Sequence, residues 1–245
     1  MKSFLESGSK NWPQLPRAAL LGAIAAFALL DSVPAQNLLV NGDFEQNDRR
    51  TYPNYYPAED LAYIAQPEVV PGWSFGHSVD LYGAIHAPQN GTQYLDLVGG
   101  GPLGSEFSIQ QTFATTPGAI YDLRFYYGNN ENLAAAMASF TALIIGNSGP
   151  IWSQNFTHTG DTYNAHDWTF FSTTFTADSA TTILRFLDTS NFATSYDPVY
   201  TVGGATLDGV VVSAVPEPGG VAAVAVIFGV CLTPILRRCF ATRRR

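Results

Sequence analysis

Apolar and polar residues alternate along the middle of the chain, which is the period of a strand with one buried face. In Ile120–Tyr127 every second residue is large and apolar or aromatic, and in Phe107–Phe113 the alternation places Gln111 on the same face as three apolar residues. The predicted strands are Ser78–Tyr82, Thr92–Val98, Phe107–Phe113, Ile120–Tyr127, Ser139–Ile145, Trp168–Phe175, Thr182–Leu187 and Ala205–Val212.

Turn-forming pairs such as Asn90-Gly91, Pro117-Gly118 and Gly146-Asn147 separate these strands. Many short strands without a convincing amphipathic helix predict an all-β fold, an antiparallel β-sandwich of jelly-roll type. Two stretches, Asn47–Pro67 and Thr189–Gly204, break the strand rhythm. We interpret them as long loops, which often carry recognition on a rigid sandwich.

The start of the chain has the three zones of a secretory signal peptide. Basic residues such as Lys2 and Arg17 come first, and the charge-free apolar run Ala18–Leu30 follows. Its 13 residues are too few to span a bilayer comfortably, and the small residue Ala35 offers a cleavage point. We therefore predict a signal helix and peptide over residues 1–35; a buried core helix and an uncleaved anchor are the alternatives.

The end of the chain combines a short motif, an apolar span and a basic tail. The motif is Val215, Pro216, Glu217 and Pro218. The uncharged segment Gly219–Leu236 would form a transmembrane helix of about 27 Å, enough to cross the hydrocarbon core. Arginines from Arg237 onward would stay in the cytoplasm, so the rest of the chain is predicted to lie outside.

This tail resembles the PEP-CTERM sorting signal of Gram-negative bacteria, with its Pro-Glu-Pro box, apolar span and arginine cluster. The resemblance implies an exosortase that recognises the box, and a protein exported to the cell envelope in association with exopolysaccharide and biofilm. The predicted organisation is a signal peptide (1–35), an ectodomain (36–214) and a sorting signal (215–245). A plain single-pass anchor is the alternative for the last segment.

Charge narrows the partners of the ectodomain. Three of the 20 acidic residues of the chain (Glu6, Asp31 and Glu217) lie outside it, so it holds 17 against four arginines and no lysine, a formal net charge of −13. Such a surface repels nucleic acid and anionic lipid. Both cysteines, Cys231 and Cys239, belong to the tail, so the ectodomain has neither a disulfide nor a thiol nucleophile.

The ectodomain resembles the galactose-binding-like jelly rolls of "choice-of-anchor" bacterial surface proteins. It is also similar to a plant cell-wall family of unknown function and to some carbohydrate-binding modules of bacterial glycanases. The resemblance is carried by the order of the segments Asn37–Glu45 (NLLVNGDFE), Val70–Trp73 (VPGW), Val79–Gly83 (VDLYG), Gln93–Gly99 (QYLDLVG), Ile109–Phe125 (IQQTFATTPGAIYDLRF) and Leu207–Ser213 (LDGVVVS).

Related jelly rolls often hold a structural Ca²⁺ where the N-terminal segment meets the last strand. By that resemblance we predict a calcium site at Asp43, Glu45 and Asp208, since hard oxygen donors suit Ca²⁺. The alternative is that Asn41–Asp43 is a simple turn and that Asp208 caps backbone amides.

Carbohydrate binding is the favoured role, because sugars stack on exposed aromatic rings while their hydroxyls bond to polar side chains. The two long loops supply the candidates Tyr55, Tyr56, Tyr196 and Tyr200, unless these tyrosines only pack the loops down.

The sequence names no catalytic residue. It has no G-x-S-x-G elbow, and its four histidines lack the HExxH spacing of zinc proteases. A polysaccharide hydrolase would need two carboxylates at a defined separation, which spacing along the chain does not reveal. We therefore predict a non-catalytic module; a structural biofilm or matrix protein without a defined ligand is the first alternative, and a polysaccharide-active hydrolase is the second.

Overall fold

The computed structural model describes residues 36–83, 87–102, 105–130, 137–161, 166–190, 200–201 and 203–216. The predicted signal peptide and the sorting signal after Pro216 lie outside these ranges. Within them no helix has the length and apolarity needed to cross a membrane.

The described residues form an all-β antiparallel sandwich, which confirms the predicted fold class. Apart from a 3-10 turn at Arg49–Thr51, every regular element is a strand. The strands are β1 (Tyr55–Tyr56), β2 (Leu61–Ala65), β3 (Ser74–Phe75), β4 (Ser78–Gly83), β5 (Gln93–Asp96), β6 (Gly101–Pro102), β7 (Ser108–Ala114), β8 (Ile120–Asn129), β9 (Ala138–Gly146), β10 (Gly149–His158), β11 (Thr169–Thr176), β12 (Thr181–Asp188), β13 (Tyr200–Thr201) and β14 (Ala205–Ala214).

Two large sheets make up the sandwich. One has seven strands in the order β1-β2-β4-β5-β14-β8-β11, and the other has five in the order β10-β9-β12-β7-β3. β13 and β6 form a small separate ribbon. The last strand, β14, lies between β5 and β8 in the middle of the larger sheet, and the N-terminal end of the region meets it there, because the Leu38 amide donates to the Val212 carbonyl.

The core between the sheets is rich in aromatic rings. Phe125 on β8 is fully buried, and its ring lies 5.1 Å from that of Phe186, 5.2 Å from that of Phe171 and 5.4 Å from that of Phe156. Each such pair adds about 0.5–1.5 kcal/mol beyond the burial of apolar area. Among the described residues, the buried core residues lie between Leu39 and Val212, so the region 36–216 contains a hydrophobic core.

All eight predicted strands are present, but six further strands were missed, and four of them (β1, β3, β6 and β13) have only two residues each. β2 lies inside Asn47–Pro67, which the sequence predicts to be a loop. Its five residues are too few for a clear alternation, and the buried ion pair between Arg49 and Asp60 (2.7 Å) holds the chain around it. β10 is an edge strand in which half of the residues are exposed and only Phe156 is buried, so its apolar alternation is weak.

Gln111 lies on the core face of β7, as the alternation predicts, and this polar side chain is fully engaged there. Its Oε1 accepts from the Val40 amide (2.6 Å) and its Nε2 donates to the Val40 carbonyl (2.9 Å). The Gln111 side chain therefore pairs with the Val40 backbone as a neighbouring strand would. It links the N-terminal segment, residues 36–45, to the five-stranded sheet.

The outer face of the seven-stranded sheet buries carboxyl groups as well as aromatic rings. Asp80 on β4 and Asp96 on β5 lie directly opposite each other, beside the stacked rings of Tyr82 and Tyr94 (5.5 Å). Burial raises the pKa of Asp96 to about 8. Burial, with a smaller contribution from the Asp96 charge, raises the pKa of Asp80 well above its usual value. These groups hold protons in the folded protein that the unfolded chain releases above about pH 4.

A pKa that is higher in the folded state gives stability that is lost as the pH rises toward that pKa. We therefore expect the melting temperature to fall between pH 5 and pH 8, and to fall less in Asp80→Asn, which keeps the shape but has no proton to lose. Thermal unfolding of residues 36–216 at several pH values measures both. Asp178→Asn, at an exposed carboxylate, serves as the control and should keep the parental slope. A slope in Asp80→Asn equal to that of the parent would contradict the assignment.

Candidate functional site

The N-terminal segment is paired to the last strand by backbone and side-chain hydrogen bonds. The Leu38 amide donates to the Val212 carbonyl (2.7 Å), and the Val210 amide donates to the Gly42 carbonyl (2.7 Å). The Asn37 side chain donates to the Val210 carbonyl and accepts from the Val212 amide. A Cβ on Gly42 would lie 2.0 Å from the Val210 carbonyl oxygen, so only glycine permits this close approach.

A turn around Gly42 directs the segment away from the sheet and fixes its course. Asn41 and Phe44 have positive φ values of 55° and 58°. The Asn41 carbonyl accepts from the Trp73 indole (2.9 Å), and its side chain donates to the Pro71 carbonyl (3.1 Å). The rings of Phe44 and Trp73 pack 5.7 Å apart. The VPGW segment therefore anchors the turn that carries Asp43 and Glu45.

An open groove of about 770 Å³ lies between this segment, the loop before β5 and the outer side of β14 and β8. Polar groups dominate its wall, with one aromatic ring from β8. The lining residues are Asn37, Leu39, Asn41, Gly42, Asp43, Glu45, Gln46, Gln89, Asn90, Tyr126, Gly209, Val210 and Val211.

Glu45 holds the opposite wall of the groove in place. Its Oε1 accepts from the amides of Thr92 (2.7 Å) and Gln93 (2.9 Å), and its Oε2 accepts from the Thr92 hydroxyl (2.8 Å). Gly91 has a φ of 69°, and a Cβ there would lie 2.3 Å from the Glu45 carboxylate. The predicted Asn90-Gly91 turn and the Glu45 side chain therefore fit each other closely.

Asp208 is fully buried behind the groove, where β14 shifts register against β8. Its carboxylate accepts from the amides of Asn90 (3.0 Å) and Gly209 (2.6 Å). Burial raises the pKa of Asp208 to about 7 against the lowering effect of these hydrogen bonds, and the nearby Glu45 carboxylate adds to the increase. Asp208 thus joins the register shift of β14 to the loop on the other side of the groove.

Two aromatic side chains extend the groove along the outer face of the sheet. Tyr126 lines the groove, and its ring lies 5.1 Å from that of Phe170 on the neighbouring strand β11. Phe170 is 53% exposed, unusually high for a phenylalanine in a strand. Farther across the same face, Trp168 packs edge-on against the buried Tyr94 at 5.2 Å. The sheet thus presents an aromatic surface next to a polar groove.

Of the four tyrosines predicted to bind sugar, Tyr55 and Tyr56 lie away from this groove. Tyr55 donates to Asp60 (3.0 Å) and Tyr56 is exposed, both on β1 at the opposite edge of the sheet from β11. Tyr200 lies in β13, and Tyr196 lies outside the described residues. The sequence did contain a signal for Tyr126, because the alternation of β8 puts it on the polar face with Asp122 and Arg124.

Two of the three residues predicted to bind calcium share the groove, and the third is buried behind it. Asp43 and Glu45 line the groove, and Asp208 lies directly behind it. Asp208 accepts from backbone amides, as the alternative interpretation expects. Among the described residues no three His, Cys, Asp or Glu side chains form a group able to hold a metal by themselves, so a cation here would also need amide or backbone oxygens. The calcium site stays a prediction.

The fold and groove define an antiparallel β-sandwich module with a polar, aromatic-edged groove on one face. A family described as "Protein of unknown function (DUF642)" matches residues 37–212, nearly the whole described region. The chain therefore belongs to the DUF642 family.

Similarity to other proteins is more distant. Halomucin of Haloquadratum walsbyi is 30% identical over 217 residues, which cover 77% of this chain but only 2% of halomucin. The similarity to a solved CBM4 structure extends over 72% of this chain and 99% of the CBM4 chain (15% identity, TM-score 0.41). TmCBM61 in complex with beta-1,4-galactotriose covers 74% and 100% (12% identity, TM-score 0.42). CBM35 from Paenibacillus barcinonensis covers 59% and 94% (16% identity, TM-score 0.38).

Replacing Glu45 by alanine should loosen the wall of the groove. Three hydrogen bonds to one carboxylate are lost, and we expect the free energy of unfolding to fall by about 1–2 kcal/mol. Asp43→Ala is the matched control, because Asp43 is exposed and makes one long contact, 3.4 Å from the Glu45 amide. Urea unfolding of both variants measures the difference, and equal stabilities would show that Glu45 does not hold the turn.

Proposed function

We propose that the β-sandwich is a non-catalytic glycan-binding module whose site is the groove together with Tyr126 and Phe170. The observation that carries the proposal is this pairing of neighbouring, accessible aromatic rings with a groove lined by amides and carboxylates. Sugar rings stack their C–H faces on aromatic side chains, and their hydroxyls need donors and acceptors beside the ring. The groove offers both within one surface.

The charge of the groove favours neutral, hydroxyl-rich glycans over uronic acids. Asp43 and Glu45 face it, and neither lysine nor arginine is among its lining residues. An acidic sugar would bring its carboxylate against two others at close range, which costs free energy. Sugar hydroxyls can donate to the carboxylates and exchange hydrogen bonds with the side-chain amides of Gln46 and Gln89.

The proposal of a binding role without catalysis rests on the partners of the acidic side chains. Hydrolysis of a glycosidic bond needs a proton-donating carboxyl that reaches the sugar. Asp208 is the carboxyl at the groove with a raised pKa, but it is buried and both its oxygens accept from backbone amides. Glu45 is held by Thr92 and Gln93. These contacts suit a fixed binding surface.

Export and sorting complete the proposal. The sequence pattern of residues 1–35 supports secretion, and that of residues 215–245 supports recognition by an exosortase and transient anchoring in the inner membrane. The module would then meet exopolysaccharide at the cell surface or outside the cell. A matrix role through many weak contacts is the second candidate, favoured by the strongly acidic surface of the region.

Glycan binding can be tested with one substitution at the groove and one far from it. Tyr126→Ala should weaken binding of residues 36–216 to a neutral oligosaccharide about tenfold, because a stacking contact of about 1 kcal/mol or more is lost. Tyr56→Ala, an exposed tyrosine at the other edge of the sheet, should leave the affinity unchanged. A glycan array identifies the ligand, and isothermal titration calorimetry then measures the affinities.

Each other outcome has a definite meaning. Loss of binding in Tyr56→Ala but not in Tyr126→Ala would place the site at the loop tyrosines. Absence of saturable binding to any glycan, with retention on whole polysaccharide, would favour the matrix role.

Calcium at Asp43 and Glu45 is a separate proposal, supported by the exposed carboxylate of Asp43 and the amide oxygens around it. Calcium bound to the folded state alone raises the melting temperature. We expect millimolar calcium to raise that of EDTA-treated protein, and the shift to disappear in Asp43→Asn. Magnesium is the control cation, and a melting temperature that does not respond to calcium would rule out the site.

A further inference from the structure

The two large sheets differ in how well their edges are protected against pairing with another chain. In the described part of the molecule, the edge strands β1 and β3 have two residues each. β10 is long, but it contains Pro150 and a register shift between Pro150 and Trp152. Short edges, prolines and bulges are the features by which proteins prevent unwanted strand pairing.

The fourth edge strand, β11, has none of these features. Its eight residues, TFFSTTFT, contain no charge, no proline and no glycine, although the region around it has a net charge of −13. It runs beside β8 without any register shift, from Thr169 opposite Tyr127 to Thr176 opposite Ile120. Within the described residues β8 is its only neighbour. Such a long, regular, uncharged edge is a template for another strand.

The hydrogen bonds at the end of the sheet show which backbone groups of β11 point outward. The Val215 amide donates to the Ile120 carbonyl, and the Ala177 amide donates to the Ala119 carbonyl. In an antiparallel sheet the backbone amide and carbonyl groups of successive residues point to opposite neighbouring strands. In β8 those of even-numbered residues therefore bond to β14, and those of odd-numbered residues bond to β11. On β11 the odd-numbered residues therefore bond to β8. The outward residues are Phe170, Ser172, Thr174 and Thr176.

We infer that β11 pairs antiparallel with β11 of a second copy of this chain, about a two-fold axis at Thr173. This register places Ser172 opposite Thr174 of the other copy and Phe170 opposite Thr176. All four outward residues of each strand then exchange their amide and carbonyl groups, which makes about eight hydrogen bonds. If the two-fold axis moved by one residue toward either end, one outward residue of each strand would lie opposite a residue beyond the end of β11.

Side chains favour a second copy as the partner. In the same register Phe171 of one copy lies opposite Phe175 of the other on the core-facing side, and aromatic cross-strand pairs stabilise sheets. Neither strand contains a charged residue, so the pairing brings no like charges together between two copies that are both strongly acidic. The pairing is also isologous, as the interface of a two-fold dimer must be.

Pairing at β11 would join the two seven-stranded sheets into one and keep both grooves on the same face. Phe170 lies three residues from the proposed axis in each strand, so the two aromatic surfaces would lie on the same face, about 20 Å apart along the strands. Two sites on one rigid face increase retention on a repeating polymer without any new contact to it. The dimer itself does not depend on glycan binding and is tested without a glycan.

A symmetric disulfide tests the register directly. In the full chain with Cys231→Ser and Cys239→Ser, Thr173→Cys would place two cysteines across the axis in a non-hydrogen-bonded pair, with Cα atoms about 4.5 Å apart. That distance is within the usual disulfide range of about 4.4–6.8 Å. We expect mild oxidation to give a disulfide-linked dimer on a non-reducing gel. Ser153→Cys, on the exposed part of β10, is the control and should stay monomeric.

Two further substitutions should abolish the cross-link in the Thr173→Cys chain. Thr174→Pro removes an outward amide that β8 does not use, and Ser172→Lys adds a charge at the edge. Ser153→Lys on β10 is the matched control and should leave the dimer intact. Melting temperatures close to that of the parent show that the variants fold.

Three results would overturn the inference: no dimer from Thr173→Cys, equal cross-linking from Ser153→Cys, or a dimer that survives Ser172→Lys in a folded chain. A cross-link of Thr173→Cys to a different protein would equally exclude the second copy and identify β11 as an edge for a foreign strand.

Discussion

The pairing of the N-terminal segment with β14 is the contact on which the rest of the site depends. Gly42 approaches the Val210 carbonyl so closely that no side chain fits between them. That approach sets where the turn leaves the sheet, and therefore where Asp43 and Glu45 stand. Glu45 in turn fixes the turn around Gly91, which forms the far wall of the groove. The groove thus arises from one backbone contact and two side-chain links.

The sequence predicted the framework better than the site, for a physical reason. Alternation within one strand is a local signal, so strands such as β8 and β7 are visible, down to the inward position of Gln111. β10 was not predicted because an edge strand buries few apolar side chains, and β2 was not predicted because it is short. The groove joins Glu45 to Thr92 and Asp208 to Asn90, residues far apart in the chain. No local pattern encodes such meetings, and only the resemblance to other jelly rolls brought Asp43, Glu45 and Asp208 together.

The outer face of the seven-stranded sheet differs from its inner face in the kind of side chain that it buries. The inner face is a conventional apolar core, whereas the outer face buries Asp80 and Asp96 together with stacked tyrosines. Asp96 accepts from Asn130 (2.6 Å) and from the Val98 amide (2.9 Å), so it organises the loops that cover this end of the sheet. The polar network sets loop positions, and the apolar core supplies most of the stability.

Because the N-terminal segment runs antiparallel to β14, residues 38 and 212 are neighbours, and both ends of the domain leave from the same place. β14 also supplies Gly209, Val210 and Val211 to the groove and continues to Ala214. If the chain is held by its C-terminal end while the groove grips a polymer, tension runs along a few residues of one central strand. Load taken up at Tyr126 or Phe170 enters β14 through its long antiparallel pairing with β8, and the five-stranded sheet lies outside this path.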